Sequence, residues 1–231
     1  MRRIRKLLQI AIFKSLWVNF RCFPFKYAIK FTILLARSVR VANLSRNCIH
    51  FADLQVAKRR LGGVRIGFQD TEWSGTKQSV LNIQGTLIIK GSGYHSFASG
   101  LSLSIAPNAV VEIGDNFSCS HNARIQIFKK LVVGDNNMWS FDTIVMDTDS
   151  HKIFNEKGDL ISHNQDIIFG DNVWLGCRSI VLKGSMISSG SIIAAGSIVT
   201  KILSKENSIY KGNTVIRENV QWSTALNYEK E

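Results

Sequence analysis

The stretch GDNVWLGCRSIVLKGSMISSGSIIAAGSIVTK, Gly170 to Lys201, decides the fold. Every sixth residue from Phe169 gives Phe169, Leu175, Val181, Ile187, Ile193 and Val199, all apolar. Four positions into each hexad stand Val173, Ser179, Ser185, Ser191 and Ser197, all small. A half-buried strand asks only for alternation, so a fixed period of six marks a repeat architecture. Each hexad then forms one short side of a coil, three hexads complete a turn, and neighbouring turns bury one another's interior face. This predicts Leu175 stacked with Ile193, Phe169 with Ile187 and Val181 with Val199, the small residues lying at the bends.

Upstream the repeat loosens. Ile113, Cys119 and Ile125 hold one six-residue register, while Val133, Trp139 and Val145 hold a second, displaced by two residues, with an interruption near Lys129 and Lys130. Earlier still, VLNIQGTLIIKG and LSLSIAPNAVVEIG alternate like strands between glycine and polar turns, as imperfect coils would. Between Val145 and Phe169 a strict hexad count would place His151, Lys157 and His163 in the interior. Burying three such groups without partners is prohibitive. The segment 146–168 is therefore expected to leave the coil as a loop, where chemistry is often placed on a rigid scaffold.

Charge divides the chain unevenly. The net charge is +12, and eleven Lys and Arg precede residue 53 with no Asp or Glu among them. The boundaries read from this are a basic, partly helical segment over 1–52, a parallel β-helix over 53–203 carrying the loop, and a tail over 204–231. In the basic segment LLQIAIF and FTILLA are too short to cross a bilayer, and Arg37 and Arg40 stand where a signal peptidase site would fall. Two roles remain open for it: an amphipathic segment lying on an anionic membrane, or a helical cap whose apolar side packs on the first coil. No nucleic-acid-binding motif accompanies the charge. Cys22, Cys48, Cys119 and Cys177 form no Cys-x-x-Cys pair, as expected in a reducing cytoplasm.

The segments GDNVWLG, AAGSIVTK and GNTVIRENVQW resemble the hexapeptide-repeat acyltransferases, and DTDSH in the loop is most similar to the O-acetyltransferases of bacterial surface polysaccharides. The resemblance covers Ile113 to Trp222. It implies an all-β chain built on a left-handed parallel β-helix, a homotrimer with sites between neighbouring subunits, acetyl-CoA as donor and a saccharide hydroxyl as acceptor. The family's Pro-Gly is Lys183-Gly184 here and its Asn-Pro is Asn213-Thr214.

By the same resemblance His151 is the general base. Histidine titrates near neutrality and suits the removal of a hydroxyl proton. Asp149 or Asp147 would orient its ring, with Asp149 preferred. The backbone N–H of Cys177, after Gly176, matches the donor to the oxyanion, and Trp174 matches a position flanking acceptor or thioester arm. Ala195 and Thr200 would meet the pantetheine through main-chain groups, Lys201 and Arg217 the phosphates. An N-acyltransferase acting on an amino sugar is the alternative. A third class is a non-catalytic or metal-dependent protein on the same scaffold; a metal-dependent hydrase would need three converging histidines, and His121, His151 and His163 have no metal-ligand spacing, so no metal site is expected.

Overall fold

A computed structural model describes residues 9–52, 61–69, 75–91 and 93–224. Strands in it are short, and each of the first nineteen pairs in parallel with the third strand after it, which generates three sheets wrapped around one core. The first coil comprises β1 (Ile33–Leu35), β2 (Val39–Leu44) and β3 (Ile49–Phe51), and β1 to β3 each begin one face. The fifth coil comprises β13 (Met138–Trp139), β14 (Ile144–Met146) and β15 (Ile167–Phe169). The sixth holds β16 (Trp174–Leu175), β17 (Ile180–Leu182) and β18 (Met186–Ile187), and the seventh β19 (Ile192–Ile193), β20 (Ile198–Val199) and β21 (Ile202–Leu203). The chain is a left-handed parallel β-helix, triangular in section.

The expected stacking is observed. Phe169 pairs with Ile187, Leu175 with Ile193 and Val181 with Val199, every one of them buried. Ser179, Ser185, Ser191 and Ser197 are buried beside them. Two of the bend hydroxyls are satisfied by reaching the next coil: Ser179 Oγ donates to Ala194 O at 3.2 Å and Ser185 Oγ to Val199 O at 3.1 Å.

One bend repeats as Gly-Asp-Asn at residues 114–116, 134–136 and 170–172. Asn116, Asn136 and Asn172 have φ of 53°, 56° and 54°, a left-handed conformation that asparagine tolerates better than most residues. The later two carboxylates each accept the N–H of the aspartate one coil earlier: Asp115 N donates to Asp135 Oδ1 and Asp135 N to Asp171 Oδ1, both at 2.7 Å. A Cβ on Gly134 would lie 2.6 Å from the carbonyl carbon of Gly170, so coils at this corner are in backbone contact.

The two-residue displacement upstream has a local cause. Ile113 pairs with Val133, twenty residues on, because the chain bulges at Phe128 and Lys129 before β12 (Lys130–Val133). Asp147, buried, holds this bulge: its carboxylate accepts the N–H groups of Phe128, Lys129 and Lys130 at 2.7, 2.7 and 2.9 Å.

Two expectations are corrected here. The β-helix starts at Ile33 and not at residue 53, because β1, β2 and β3 pair with strands of the second coil. Helix α1 (Ile12–Cys22) does cap this coil, but not with its large apolar side chains. Its buried face is Ser15, Val18, Asn19 and Cys22. The exposed edge of β1 dictates that choice, since its backbone groups need partners: Ser15 Oγ accepts from Leu35 N at 2.9 Å, while Asn19 Nδ2 donates to Ile33 O at 2.8 Å and Asn19 Oδ1 accepts from Ile33 N at 3.2 Å.

At the other end, β22 (Ile209–Lys211) extends the first face and turns into β23 (Thr214–Arg217), the antiparallel closing strand. Asn213, where the family has Asn-Pro, staples this turn: it accepts from Thr200 N and donates to Thr200 Oγ1, both at 2.9 Å.

Candidate active site

The loop leaves the fifth coil between β14 and β15, at the corner joining the second and third faces. Val145 and Phe169 both sit in the core, so their separation of 24 positions comprises one hexad step and an 18-residue excursion. As expected, His151, Lys157 and His163 are all exposed. Beyond His151 the loop doubles back through an antiparallel bridge between Phe154 and Leu160, with Asn155 Oδ1 accepting from the N–H groups of Lys157 and Asp159 at 2.9 Å. Ile153, Phe154 and Ile161 on this arm are exposed.

Both ends of the loop are fixed. Besides Asp147 on the bulge, Gln165 N donates to Asp147 O at 3.2 Å, and Lys129 pairs with Asp166 at 2.8 Å. Burial pushes the Asp147 carboxyl above its ordinary pKa, and the three N–H donors pull it back. Asp149, the preferred partner of the histidine, forms an ion pair with Lys183 of the sixth coil. His151 donates its backbone N–H to Asp149 O at 2.7 Å. Within one chain, then, Asp147 and Asp149 both act on the loop's backbone and base, and neither carboxylate reaches the His151 ring among the described residues.

Gly176 and Cys177 lie at a different corner, between the first and second faces. Gly176 must be glycine because a Cβ there would fall 2.5 Å from Ile193 O and 2.7 Å from Ala195 N. The Cys177 carbonyl accepts from Gly196 N at 2.8 Å, and its N–H has no acceptor among the described residues. Ala195 is exposed one coil above, followed by Gly196, whose φ of 70° and open surroundings leave room against the backbone. Trp174, partly buried, donates from Nε1 to Ser140 Oγ at 3.1 Å and packs its ring against Trp222, centroids 5.9 Å apart. Trp222 in turn donates to Asn172 O at 2.6 Å, so the tail is pinned across the sixth coil.

Thr200 and Lys201 sit on the loop's corner, two coils up, and Arg217 is on β23; Lys201 and Arg217 are both exposed. The Thr200 N–H and hydroxyl are held by Asn213. His121 stacks flat on Phe141, 5.1 Å between centroids and 3° between planes. No group of three His, Cys, Asp or Glu suited to a metal occurs among the described residues.

The structure thus brings Cys177, Ala195 and Trp174 near one corner and His151, Asp149 and Lys201 to another, one face of the prism apart. Sequence reasoning missed Lys183 and Trp222 as partners. Lys183 was visible only as a departure from Pro-Gly, and Trp222 only as the end of a motif.

No family model matches the chain. Over 56 residues it is 38% identical to a polysialic acid O-acetyltransferase of Neisseria meningitidis, a match spanning 24% of this chain and 26% of that protein. Among solved structures, the polySia-specific acetyltransferase NeuO aligns over 84% of this chain and 92% of its own, with 22% identity and a TM-score of 0.56. Its repeat, its three parallel faces and these likenesses together show that the chain has the left-handed β-helix fold of the hexapeptide-repeat acyltransferases.

Proposed function

We propose that this chain is an O-acetyltransferase that moves an acetyl group from acetyl-CoA to a saccharide hydroxyl, with His151 as general base. The observation that carries the reading is the loop: a rigid base held by Asp147 and the Lys183–Asp149 pair presents an exposed histidine beyond the coil. The local identity to a polysialic acid O-acetyltransferase supports a glycan acceptor of the cell-surface kind.

The separation of His151 from Cys177 by one face supports a homotrimer in which each loop meets the neighbouring subunit's Cys177 corner. Ile153, Phe154 and Ile161, exposed on the loop arm, are the apolar surface such a neighbour would cover. In that arrangement the imidazole takes the acceptor hydroxyl's proton as oxygen attacks the thioester carbonyl, the Cys177 N–H receives the charge that develops on the carbonyl oxygen, and collapse of the tetrahedral intermediate breaks the C–S bond, the CoA sulfur leaving with the proton that the imidazolium returns. The donor would run along the outside of the upper coils. The open backbone at Ala195 and Gly196 and the carbonyl of Thr200 fit its amides, and the exposed cations Lys201 and Arg217 fit its phosphates. The reading assigns Asp149 to the loop as Lys183's partner, positioning His151 through the backbone.

The test is His151→Ala. Turnover with a sialylated oligosaccharide should fall about 10²- to 10⁴-fold, with acetyl-CoA affinity and subunit stoichiometry unchanged and His163→Ala close to wild type. A His151→Ala protein with near-normal turnover refutes the base assignment. Acetylation of amino-sugar acceptors alone would favour the N-acyl alternative.

A further inference from the structure

Helix α1 is amphipathic in the reverse sense. Ser15, Asn19, Val18 and Cys22 face the coil, and the large apolar residues point away from it: Ile12 is 60% exposed, Phe13 88% and Trp17 50%, and Phe20 is exposed with them. At helical spacing Phe13, Trp17 and Phe20 form one stripe. It continues into α2 (Phe25–Ala28), where Phe25, 70% exposed, lies against Phe20 with ring centroids 5.7 Å apart, and then to exposed Ile29.

Cations border this stripe. Arg21, Lys26, Lys30, Arg37 and Arg40 are exposed, and none pairs with a carboxylate among the described residues. Beside Trp17 opens a groove of about 530 Å³ lined by Lys14, Arg37, Val39, Arg40 and Gln78. Lys14 donates to the backbone oxygens of Arg37 and Val39 at its wall. The chain supplies no acidic residue before position 53 to offset them.

We infer that this end of the β-helix docks on an anionic lipid surface, the aromatic stripe entering the headgroup region and the flanking cations meeting lipid phosphates. Aromatic rings with polar neighbours favour the membrane interface, and a polybasic patch adds attraction to anionic lipid. The charge argues against a second copy of this chain as the occupant, since a symmetric contact would set this cationic face against its like. A soluble polyanionic glycan would satisfy the cations and leave the stripe in water. No described helix is long and apolar enough to cross a membrane, so the contact is peripheral in this region.

The experiment is sedimentation of the full chain with phosphatidylcholine vesicles, with and without phosphatidylglycerol. Binding is expected only with phosphatidylglycerol, weakening as salt is raised. Phe13→Ser/Trp17→Ser and, separately, Lys26→Glu/Lys30→Glu should each weaken it at least about tenfold, with thermal unfolding and stoichiometry unchanged. His151→Ala should bind vesicles like wild type, which separates this inference from the catalytic one. The inference is overturned if the full chain ignores phosphatidylglycerol vesicles at low salt, if the Phe13/Trp17 variant instead changes the oligomer, or if soluble polysialic acid is bound at this face and vesicles are not.

Discussion

Beyond the loop, stacked residues in the strict hexads are 18 apart in sequence, as in Phe169 on Ile187 and Val181 on Val199, and the spacing tightens to 16 and 17 only at the last coil, in Ile187 on Leu203 and Ile193 on Tyr210. Before it the spacings are longer and uneven, for example 24, 22 and 20 in Ile89 with Ile113, Leu103 with Ile125 and Ile113 with Val133. Both regions bury these residues fully. The surplus residues are taken up at the corners, so irregular sequence spacing and regular stacking coexist. The interiors also differ in content. Upstream, Phe97, Phe117, Trp139 and Phe169 make a continuous aromatic column with centroid steps of 5.3, 5.0 and 4.8 Å. The strict coils above are filled with Leu, Val and Ile. A strict hexad keeps its coil narrow with small bend residues; a loose one relies on large rings and on side chains that brace the bends.

The sharpest way to break that contrast is Trp139→Ala. Trp139 is fully buried between Phe117 and Phe169, and its loss should cost about 3–5 kcal/mol in denaturant unfolding, against about 2 kcal/mol for Val181→Ala in the strict coils. Equal losses would mean that the aromatic column is not what the upstream coils depend on. A smaller effect is expected at the braced bend. Asp147→Ala strands three backbone donors and should cost about 1–3 kcal/mol, with faster amide exchange at Phe128 to Lys130; exchange unchanged there would show that the bulge supports itself.

The smallest effect is a pH dependence confined to the upstream region. His95, buried with its Nε2 2.9 Å from Gly114 O, has its pKa held below the ordinary 6.5 by burial. The unfolded chain therefore binds a proton on this residue more readily than the folded one, so its contribution to stability is present above pH 6.5 and lost as pH falls toward the folded value. The melting temperature should drop on acidification through this window, and His95→Gln should flatten that part of the profile. A slope identical in the variant would remove His95 as its source.

These contrasts explain what could be read from the residues alone. The register from Phe169 to Val199 was legible because a strict hexad writes every contact into a fixed spacing. The loop was legible by exclusion, since His151, Lys157 and His163 could not be buried. The cause of the two-residue slip was not: Asp147 acts on residues 17 to 19 positions earlier, and no local pattern announces such a contact. The Lys183–Asp149 and Trp174–Trp222 contacts are hidden for the same reason. Apolar content alone left the helix's orientation open between coil and membrane, and what decided it was the edge of β1, whose backbone groups are met by Ser15 and Asn19. There, hydrogen bonding of one strand's backbone outweighed the burial of several aromatic rings.

Stacked coils also measure length. Adjacent strands repeat at about 4.7–4.9 Å, and four such steps separate the first coil, which the helix covers, from the fifth, which bears His151. The corner that bears His151 therefore stands about 19 Å along the axis from the helix-covered edge. If that edge rests on lipid, the coils between are a spacer of fixed height. Under the proposed function, only an acceptor chain long enough to span it would reach His151, and a protein lacking one whole coil would accept chains shorter by one strand spacing without any change to the side chains of the site.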